Sequence, residues 1–90
     1  MTNDIDEDIL RRTTTLVRAL SRQPQAVPSD PLENLFSAGV LDSIMLVGLV
    51  SRLEGEFGIR IPPNEYLPEN FTTLGGLARM ATRLASTTDT

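Results

Sequence analysis

The chain contains no cysteine and no histidine, and all eight of its basic residues are arginine. Without cysteine it can form neither a disulfide nor a thiolate metal site, and it has no thiol nucleophile. Without histidine it lacks the commonest general base and the commonest metal ligand. We therefore expect no metal site, and we expect no serine of this chain to be activated for catalysis.

Basic charge is also scarce, and the formal net charge is −4. Nucleic-acid binding depends on a basic patch that neutralises phosphates, so this balance argues against a nucleic-acid partner. No apolar run approaches the roughly 20 residues that cross a bilayer. The first residues lack the basic and apolar regions of a secretion signal. The sequence therefore predicts a cytoplasmic protein without a membrane span.

Aromatic residues are few, with three phenylalanines and one tyrosine, although 40% of the residues are hydrophobic. The core must therefore be mostly aliphatic. A chain of 90 residues has the length of one small domain. We predict a single monomeric domain over 1–90, with a core over about 5–85 and a disordered tail at 86–90.

Apolar residues recur at helical spacing in three stretches. Helices are predicted over 4–21, 43–57 and 73–85. A short helical turn is expected at 64–67, broken by Pro68. The predicted fold is all-α, a small four-helix bundle of three main helices and one short helix.

A long loop, 22–42, is predicted between the first two helices because its three prolines exclude a continuous helix. Its apolar residues predict one helical turn at 32–36, with Leu35 and Phe36 packed on the core. Loops of this length in small domains usually serve a function or lack order.

The loop delivers one serine, Ser43, to the first turn of the most apolar helix. Asp42 is a good N-cap, because its carboxylate can accept backbone N–H bonds two or three residues further on. Ser43 then occupies the first helical position, where free N–H groups and the positive end of the helix dipole favour a phosphate. A serine presented in this way fits covalent modification better than catalysis.

Helical spacing divides the second helix into two faces. The expected core face comprises Leu46, Leu49, Val50, Leu53 and Phe57. Apolar residues also surround Ser43 on the outer side, which indicates a surface for a partner protein. The predicted partner-binding residues are Leu41, Ile44, Met45, Val47, Gly48 and Ser51.

Three segments together resemble the phosphopantetheine-binding carrier proteins. These are the approach Leu35-Phe36 to Gly39, the phrase Leu41-Asp42-Ser43-Ile44, and the helix end from Leu53 to Pro62. The resemblance covers about residues 5–85. The approach to the serine looks most like that of D-alanyl carrier proteins and of stand-alone carriers of secondary metabolism.

The resemblance implies a four-helix bundle and a covalent cofactor. A phosphopantetheinyl transferase would attach 4′-phosphopantetheine from coenzyme A to Ser43, with Asp42 as part of the motif. The thiol of the arm, which this cysteine-free chain cannot supply, would carry an acyl or aminoacyl group as a thioester. Implied partners are a loading ligase and a downstream synthase, transferase or thioesterase, so the chain itself would be no enzyme.

One departure concerns the second helix, where fatty-acid carriers place several acidic residues. Here only Glu54 and Glu56 are acidic. We therefore expect docking to depend on apolar contacts, and we expect a dedicated pathway such as aminoacyl or polyketide-type transfer, including nonribosomal peptide synthesis.

Three other functions can be compared with this interpretation. A serine hydrolase needs a base, and the chain has neither histidine nor lysine. A helix-turn-helix DNA binder needs a basic recognition helix, which is missing. An unmodified helical module for protein–protein interaction remains a real alternative, because serine is common at helix starts.

Overall fold

The computed structural model describes residues 5–87, and all regular structure in that range is helical. The α-helices are α1 (Glu7–Leu20), α2 (Ser43–Phe57), α3 (Pro68–Phe71) and α4 (Leu74–Thr87). Two 3₁₀ turns, Pro24–Ala26 and Pro63–Glu65, lie in the connections. The predicted all-α bundle of three main helices and one short helix is confirmed.

Helix α1 begins at Glu7 because Asp6 takes the N-cap position. The Asp6 carboxylate accepts hydrogen bonds from the N–H groups of Asp8, at 2.9 Å, and Ile9, at 3.2 Å. The sequence predicted a start at residue 4, which lies outside the described residues. Capping of this kind stabilises a helix end by about 1 kcal/mol.

Arg12 ties α1 to the end of α2. Its guanidinium forms an ion pair with the Glu56 carboxylate at 2.7 Å and donates to the Glu56 carbonyl oxygen at 3.2 Å. The same group lies 4.8 Å from the centre of the Phe57 ring, a cation–π distance. The last turn of α2 is thereby fixed against α1, and the charge of Glu56 is used inside the domain.

The hydrogen-bonded turns of the long loop lie at other residues than predicted. Hydrogen-bonded turns cover 35–39 instead of a helical turn at 32–36, because the Asn34 side chain accepts from the Ser37 N–H at 2.9 Å. Leu35 is fully buried, as predicted. The prediction for Phe36 was wrong, since this side chain is 38% exposed at the rim of a groove described below.

Two backbone hydrogen bonds fasten the loop to the other half of the chain. The Leu35 N–H donates to the Thr72 carbonyl at 2.7 Å, and the Gly75 N–H donates to the Pro31 carbonyl at 2.8 Å. The loop is therefore held against the junction of α3 and α4. This attachment determines where the residues before α2 lie.

Two predictions for the second half of the chain were wrong: the role of Pro68 and the end of the last helix. Pro68 begins α3 and breaks no helix, because proline at the first helical position needs no N–H donor. Helix α4 starts one residue after Thr73, whose Oγ1 accepts from the Gly76 N–H at 2.9 Å. It continues to Thr87, so residues 86 and 87 are helical and not part of a disordered tail. Residues 88–90 lie outside the described range.

Aliphatic side chains from three helices form the core, as the few aromatics require. Its most buried members from α1, α2 and α4 are Val17, Leu49, Leu53, Leu77, Ala78, Met80 and Ala81. Ile59 and Ile61, in the segment after α2, close the core from one end. None of the helices between residues 5 and 87 has both the length and the apolarity needed to cross a bilayer.

Thr13 is the one polar side chain in the described range whose buried oxygen has no hydrogen-bond partner. An unsatisfied buried hydroxyl costs about 1–3 kcal/mol, and valine has nearly the same shape. We expect Thr13→Val to raise the free energy of unfolding by about 1 kcal/mol in urea denaturation. Thr15→Val is the matched control, because Thr15 is exposed and its hydroxyl bonds the Arg11 carbonyl. A Thr13→Val variant less stable than the parent would contradict this assignment.

Candidate functional site

Asp42 forms the N-cap of α2. Its backbone is extended, and its carboxylate accepts from the Met45 N–H at 2.8 Å. The Asp42 carbonyl oxygen accepts from the Leu46 N–H at 3.1 Å. The predicted capping role of Asp42 and the predicted bounds of this helix are both confirmed.

Ser43 is the first residue of α2 and is exposed to solvent. Its hydroxyl makes no hydrogen bond to any residue of the described range. The N–H groups of Ser43 and Ile44 have no acceptor within the helix, because the first turn leaves its donors unpaired. An anion joined to the Ser43 oxygen would meet these donors and the positive end of the helix dipole.

The residues before Ser43 are anchored in the core. The N–H groups of Val40 and Leu41 both donate to the Leu35 carbonyl, at 3.0 and 3.3 Å. Gly39 has a positive φ of 76°, a conformation that costs glycine little. Leu41 is only 4% exposed. The prediction that Leu41 belongs to a partner-binding surface was therefore wrong. Its side chain lies in the core, next to the start of α2.

The outer side of α2 is apolar and uncharged. Ile44 is 83% exposed and Val47 is 75% exposed, and Gly48 and Ser51 are exposed beside them. Met45 lies at the edge of this surface and is partly buried against the core. We call Ile44, Val47, Gly48 and Ser51 the outer face of α2.

Both acidic residues of α2 are engaged within the domain. The Glu54 carboxylate accepts from the Ile61 N–H at 2.8 Å, and Glu56 pairs with Arg12. Arg52 is exposed and has no ion-pair partner among residues 5–87. The outer face of α2 therefore offers no carboxylate to a basic partner.

An apolar groove, which we call the α2–α3 groove, opens along α2 next to the outer face, and Val47 belongs to both. Its volume is about 470 Å³. Its lining comes from α2, from the loop before α2 and from the segment around α3: Phe36, Leu46, Val47, Val50, Tyr66, Leu67, Pro68, Phe71 and Thr72. The sequence interpretation missed this groove. The sequence does contain apolar residues in the proline-rich segments before α2 and around α3. Whether these residues meet to form a groove depends on how the loops pack, which the sequence pattern does not show.

A second cavity, of about 380 Å³, borders the start of α2 on the side of the long loop. Arg22, Asp42 and Ile44 are among its lining residues, so it is more polar than the α2–α3 groove. No cluster of acidic side chains in residues 5–87 could hold a metal ion.

A small four-helix bundle that presents an exposed serine beside an apolar helix face has the features of a protein on which enzymes act. Comparison with known proteins identifies the class. The family described as "Phosphopantetheine attachment site" matches residues 13–81. Since this match covers most of the chain, the protein belongs to that family of carrier proteins.

Curated relatives are D-alanyl carrier proteins. That of Streptococcus sanguinis (strain SK36) is 40% identical over 52 residues, which cover 58% of this chain and 66% of the relative. That of Lactococcus lactis subsp. cremoris (strain MG1363) is 38% identical over 56 residues, covering 62% and 67%. The chain thus spans just under two thirds of the first relative's length. No solved structure matches the chain.

Residues 13–81 therefore form a carrier domain for covalent 4′-phosphopantetheine, and carrier domains of this family are not themselves catalytic. Carriers of this kind work with a phosphopantetheinyl transferase and with ligases. When bound, the group supplies the thiol that this cysteine-free chain lacks. The start of α2 fits such a group, because an exposed hydroxyl stands beside unpaired N–H donors and no described side chain competes for it.

Proposed function

We propose that Ser43 is the attachment residue and that the loaded carrier serves a dedicated biosynthetic pathway. One observation carries the assignment: the Ser43 hydroxyl is exposed at the N-terminus of α2 and has no hydrogen bond within the described domain. The carrier would receive an acyl or aminoacyl group from a ligase. It would present that group to a downstream synthase, transferase or thioesterase.

Attachment would form a bond between the Ser43 oxygen and the phosphorus that bears the pantetheine chain. The bond from that phosphorus to the adenosine half of coenzyme A would break, and adenosine 3′,5′-bisphosphate would leave. The serine proton must pass to a base. We assign that base to the transferase, because this chain has no histidine or lysine and the neighbouring Asp42 carboxylate is engaged as the cap of α2. Dependence on coenzyme A supports a cytoplasmic location.

Other serines are less suited to attachment. Ser21 is buried, and Ser51 lies within α2, where its N–H belongs to the helical hydrogen-bond ladder. Loop serines such as Ser37 have no helix dipole to favour a phosphate. Among the serines whose exposure the structure describes, only Ser43 combines exposure with the first turn of a long helix.

The test is incubation of the protein with coenzyme A and a broad-specificity phosphopantetheinyl transferase. We expect the intact mass to rise by one phosphopantetheine group. Fragmentation of tryptic peptide 23–52 should locate that group on Ser43 and not on Ser29, Ser37 or Ser51. Another position would overturn the assignment. An unchanged mass with an active transferase would favour the unmodified interaction module.

We propose the outer face of α2, together with the exposed edge of Met45, as the docking surface for these enzymes. The exposure of Ile44 and Val47 supports it, as does the engagement of Glu54 and Glu56 within the domain. Partners with an apolar docking surface fit this helix better than the basic surfaces that acidic carriers require.

Ile44→Glu should slow transfer of the carried group to a cognate partner by about tenfold, the equivalent of about 1.4 kcal/mol. A charge placed in an apolar contact loses hydration without gaining a partner. The variant should fold normally, because glutamate near a helix N-terminus is favourable. Rates are compared after complete modification of both proteins, so that slower attachment does not contribute.

Thr15→Glu is the control, since it adds the same charge at an exposed position of α1. We expect it to transfer at the rate of the parent protein. Equal transfer rates for Ile44→Glu and the parent protein would show that partner enzymes do not dock on the outer face of α2.

A further inference from the structure

The second cavity, of about 380 Å³, adjoins the proposed attachment residue. Asp42 and Ile44, the neighbours of Ser43 in the chain, both belong to its lining. Arg22 and Gln23, which follow α1 at the start of the long loop, belong to it as well. We call this space the Arg22 cavity. A group bonded to the Ser43 oxygen therefore begins at its rim.

Arg22 is the only basic residue of the described range that lines this cavity. It is exposed, and it has no ion-pair partner among residues 5–87. The Asp42 carboxylate lines the same cavity, but it accepts from the Met45 N–H as the cap of α2 and forms no ion pair with Arg22. The guanidinium is therefore available to an anion that is not part of the polypeptide.

Ser21 fixes the backbone that carries Arg22 and Gln23. Ser21 is buried, its N–H donates to the Val17 carbonyl at 2.9 Å, and its hydroxyl oxygen accepts from the Gln23 N–H at 3.0 Å. The Gln23 carbonyl accepts from the Ala26 N–H at 2.9 Å. Binding of a ligand in the cavity would therefore have to order two side chains but no backbone, which lowers the entropic cost.

The lining matches the chemistry of a phosphopantetheine arm from its phosphate outward. The phosphodiester is an anion, and a guanidinium can donate paired hydrogen bonds to two of its oxygens. The pantetheine chain continues with geminal methyl groups, a hydroxyl and amides. The Gln23 side chain can both donate to and accept from such amides. Leu20 and Met45 provide apolar surface for the methyl groups.

We propose that the Arg22 cavity binds the polar half of the phosphopantetheine arm, with Arg22 paired to the phosphodiester. This inference rests on the proposed function, because the arm must be bonded to Ser43 to begin at this rim. An exposed ion pair by itself is weak. Here the phosphate is tethered beside the cavity, so docking is intramolecular and the effective concentration is high. Arg22 is thus a cofactor-binding residue that lies outside the motif around Ser43.

The test observes contacts of the arm directly. The protein is uniformly labelled with stable isotopes and then modified by a transferase with unlabelled coenzyme A. Intact mass establishes complete loading first. Isotope-filtered NOE spectra then detect contacts between protons of the arm and protons of the protein. We expect NOEs from the geminal methyl groups of the arm to the side chains of Leu20 and Met45, which both line the cavity.

Arg22→Gln removes the cation and keeps a polar side chain. We expect the ratio of docked to free arm to fall about fivefold, the upper end of what an exposed ion pair contributes. Higher salt should weaken the same NOEs in the parent protein and leave those of Arg22→Gln unchanged, because salt screens exposed charges.

Arg18→Gln is the matched control. Arg18 is an exposed arginine in the last turn of α1, without an ion pair in residues 5–87, and it does not line the cavity. We expect this variant to keep the NOE intensities of the parent protein. Circular dichroism checks that both variants remain folded.

The outcomes separate this inference from the proposed function. Fully loaded protein without NOEs from the arm to Leu20 or Met45 would overturn the proposal and leave attachment at Ser43 intact. NOEs confined to the α2–α3 groove would overturn it in the same way. Equal NOE intensities in the parent and in folded Arg22→Gln would show that Arg22 does not hold the phosphodiester. Failure to load the protein would instead count against the proposed function.

Discussion

Ser43→Ala should abolish attachment of phosphopantetheine completely, so that the intact mass stays unchanged after incubation with coenzyme A and a transferase. The variant loses the oxygen that forms the new bond to phosphorus. No other serine in the described range stands exposed at the start of a long helix. The transferase should therefore find no substitute.

The fold of Ser43→Ala should be unaffected. The serine is exposed, its hydroxyl bonds no described residue, and Asp42 continues to cap α2. Surface substitutions of this kind change the free energy of unfolding by less than about 0.5 kcal/mol. Helicity and the urea midpoint are the measurements. A large loss of helicity would contradict the exposed placement of Ser43.

Ser37→Ala is the matched control for this loss. It removes an exposed hydroxyl from the loop before α2, outside the proposed docking surface. This variant should gain one phosphopantetheine group at the rate of the parent. A mass gain by Ser43→Ala would show that phosphopantetheine is attached to another residue.

Gly76→Ala should destabilise the fold by about 3 kcal/mol, the upper end of the cost of overpacking. An added Cβ would lie 2.2 Å from the Glu69 carbonyl oxygen and 3.1 Å from the Thr73 Oγ1. The first contact is with backbone, which cannot rotate away. Helix propensity alone predicts the opposite sign, because alanine is favoured over glycine by about 1 kcal/mol in a helix.

Gly55→Ala separates these two effects. Gly55 lies in α2, and no atom beyond its chain neighbours and the adjacent helix backbone would lie within 4 Å of an added Cβ. Here we expect a gain of about 0.5–1 kcal/mol from propensity alone. Urea unfolding of both variants checks the pair. Similar stabilisation by both would show that α3 and α4 do not make this close contact.

The close packing at Gly75 and Gly76 also explains how the long loop is held. Gly75 donates its N–H to the Pro31 carbonyl, and an added Cβ there would lie 3.0 Å from the same oxygen. Spacing along the chain does not show which residues pack against this glycine pair. Only the folded chain brings Pro31 to the start of α4.

Signals close together in the chain sufficed to predict the helices and the start of α2. Asp42 caps α2 and Gly58 ends it with a left-handed backbone, and both roles depend on residues within one turn. The buried stripe of α4 follows the same logic, since helical spacing alone places Leu74, Leu77 and Ala81 on one face.

Helical spacing gave no such guidance in the loops. The sequence predicts Leu41 on the surface and Phe36 in the core. In the structure Leu41 is buried, and Phe36 is 38% exposed. A loop residue has no periodic neighbours that reveal its direction. Its burial depends on hydrogen bonds such as that from Leu35 to Thr72, whose partners are far apart in the chain.

The amino-acid sequence by itself determined the all-α fold, the capped helix that begins at Ser43, and the exclusion of catalysis by histidine or cysteine. These depend on composition and on interactions within a few residues. Tertiary structure alone decided that Glu56 pairs with Arg12 of α1 and that a groove opens beside α2. Both depend on side chains that meet across the bundle, and no spacing along the chain encodes those distances.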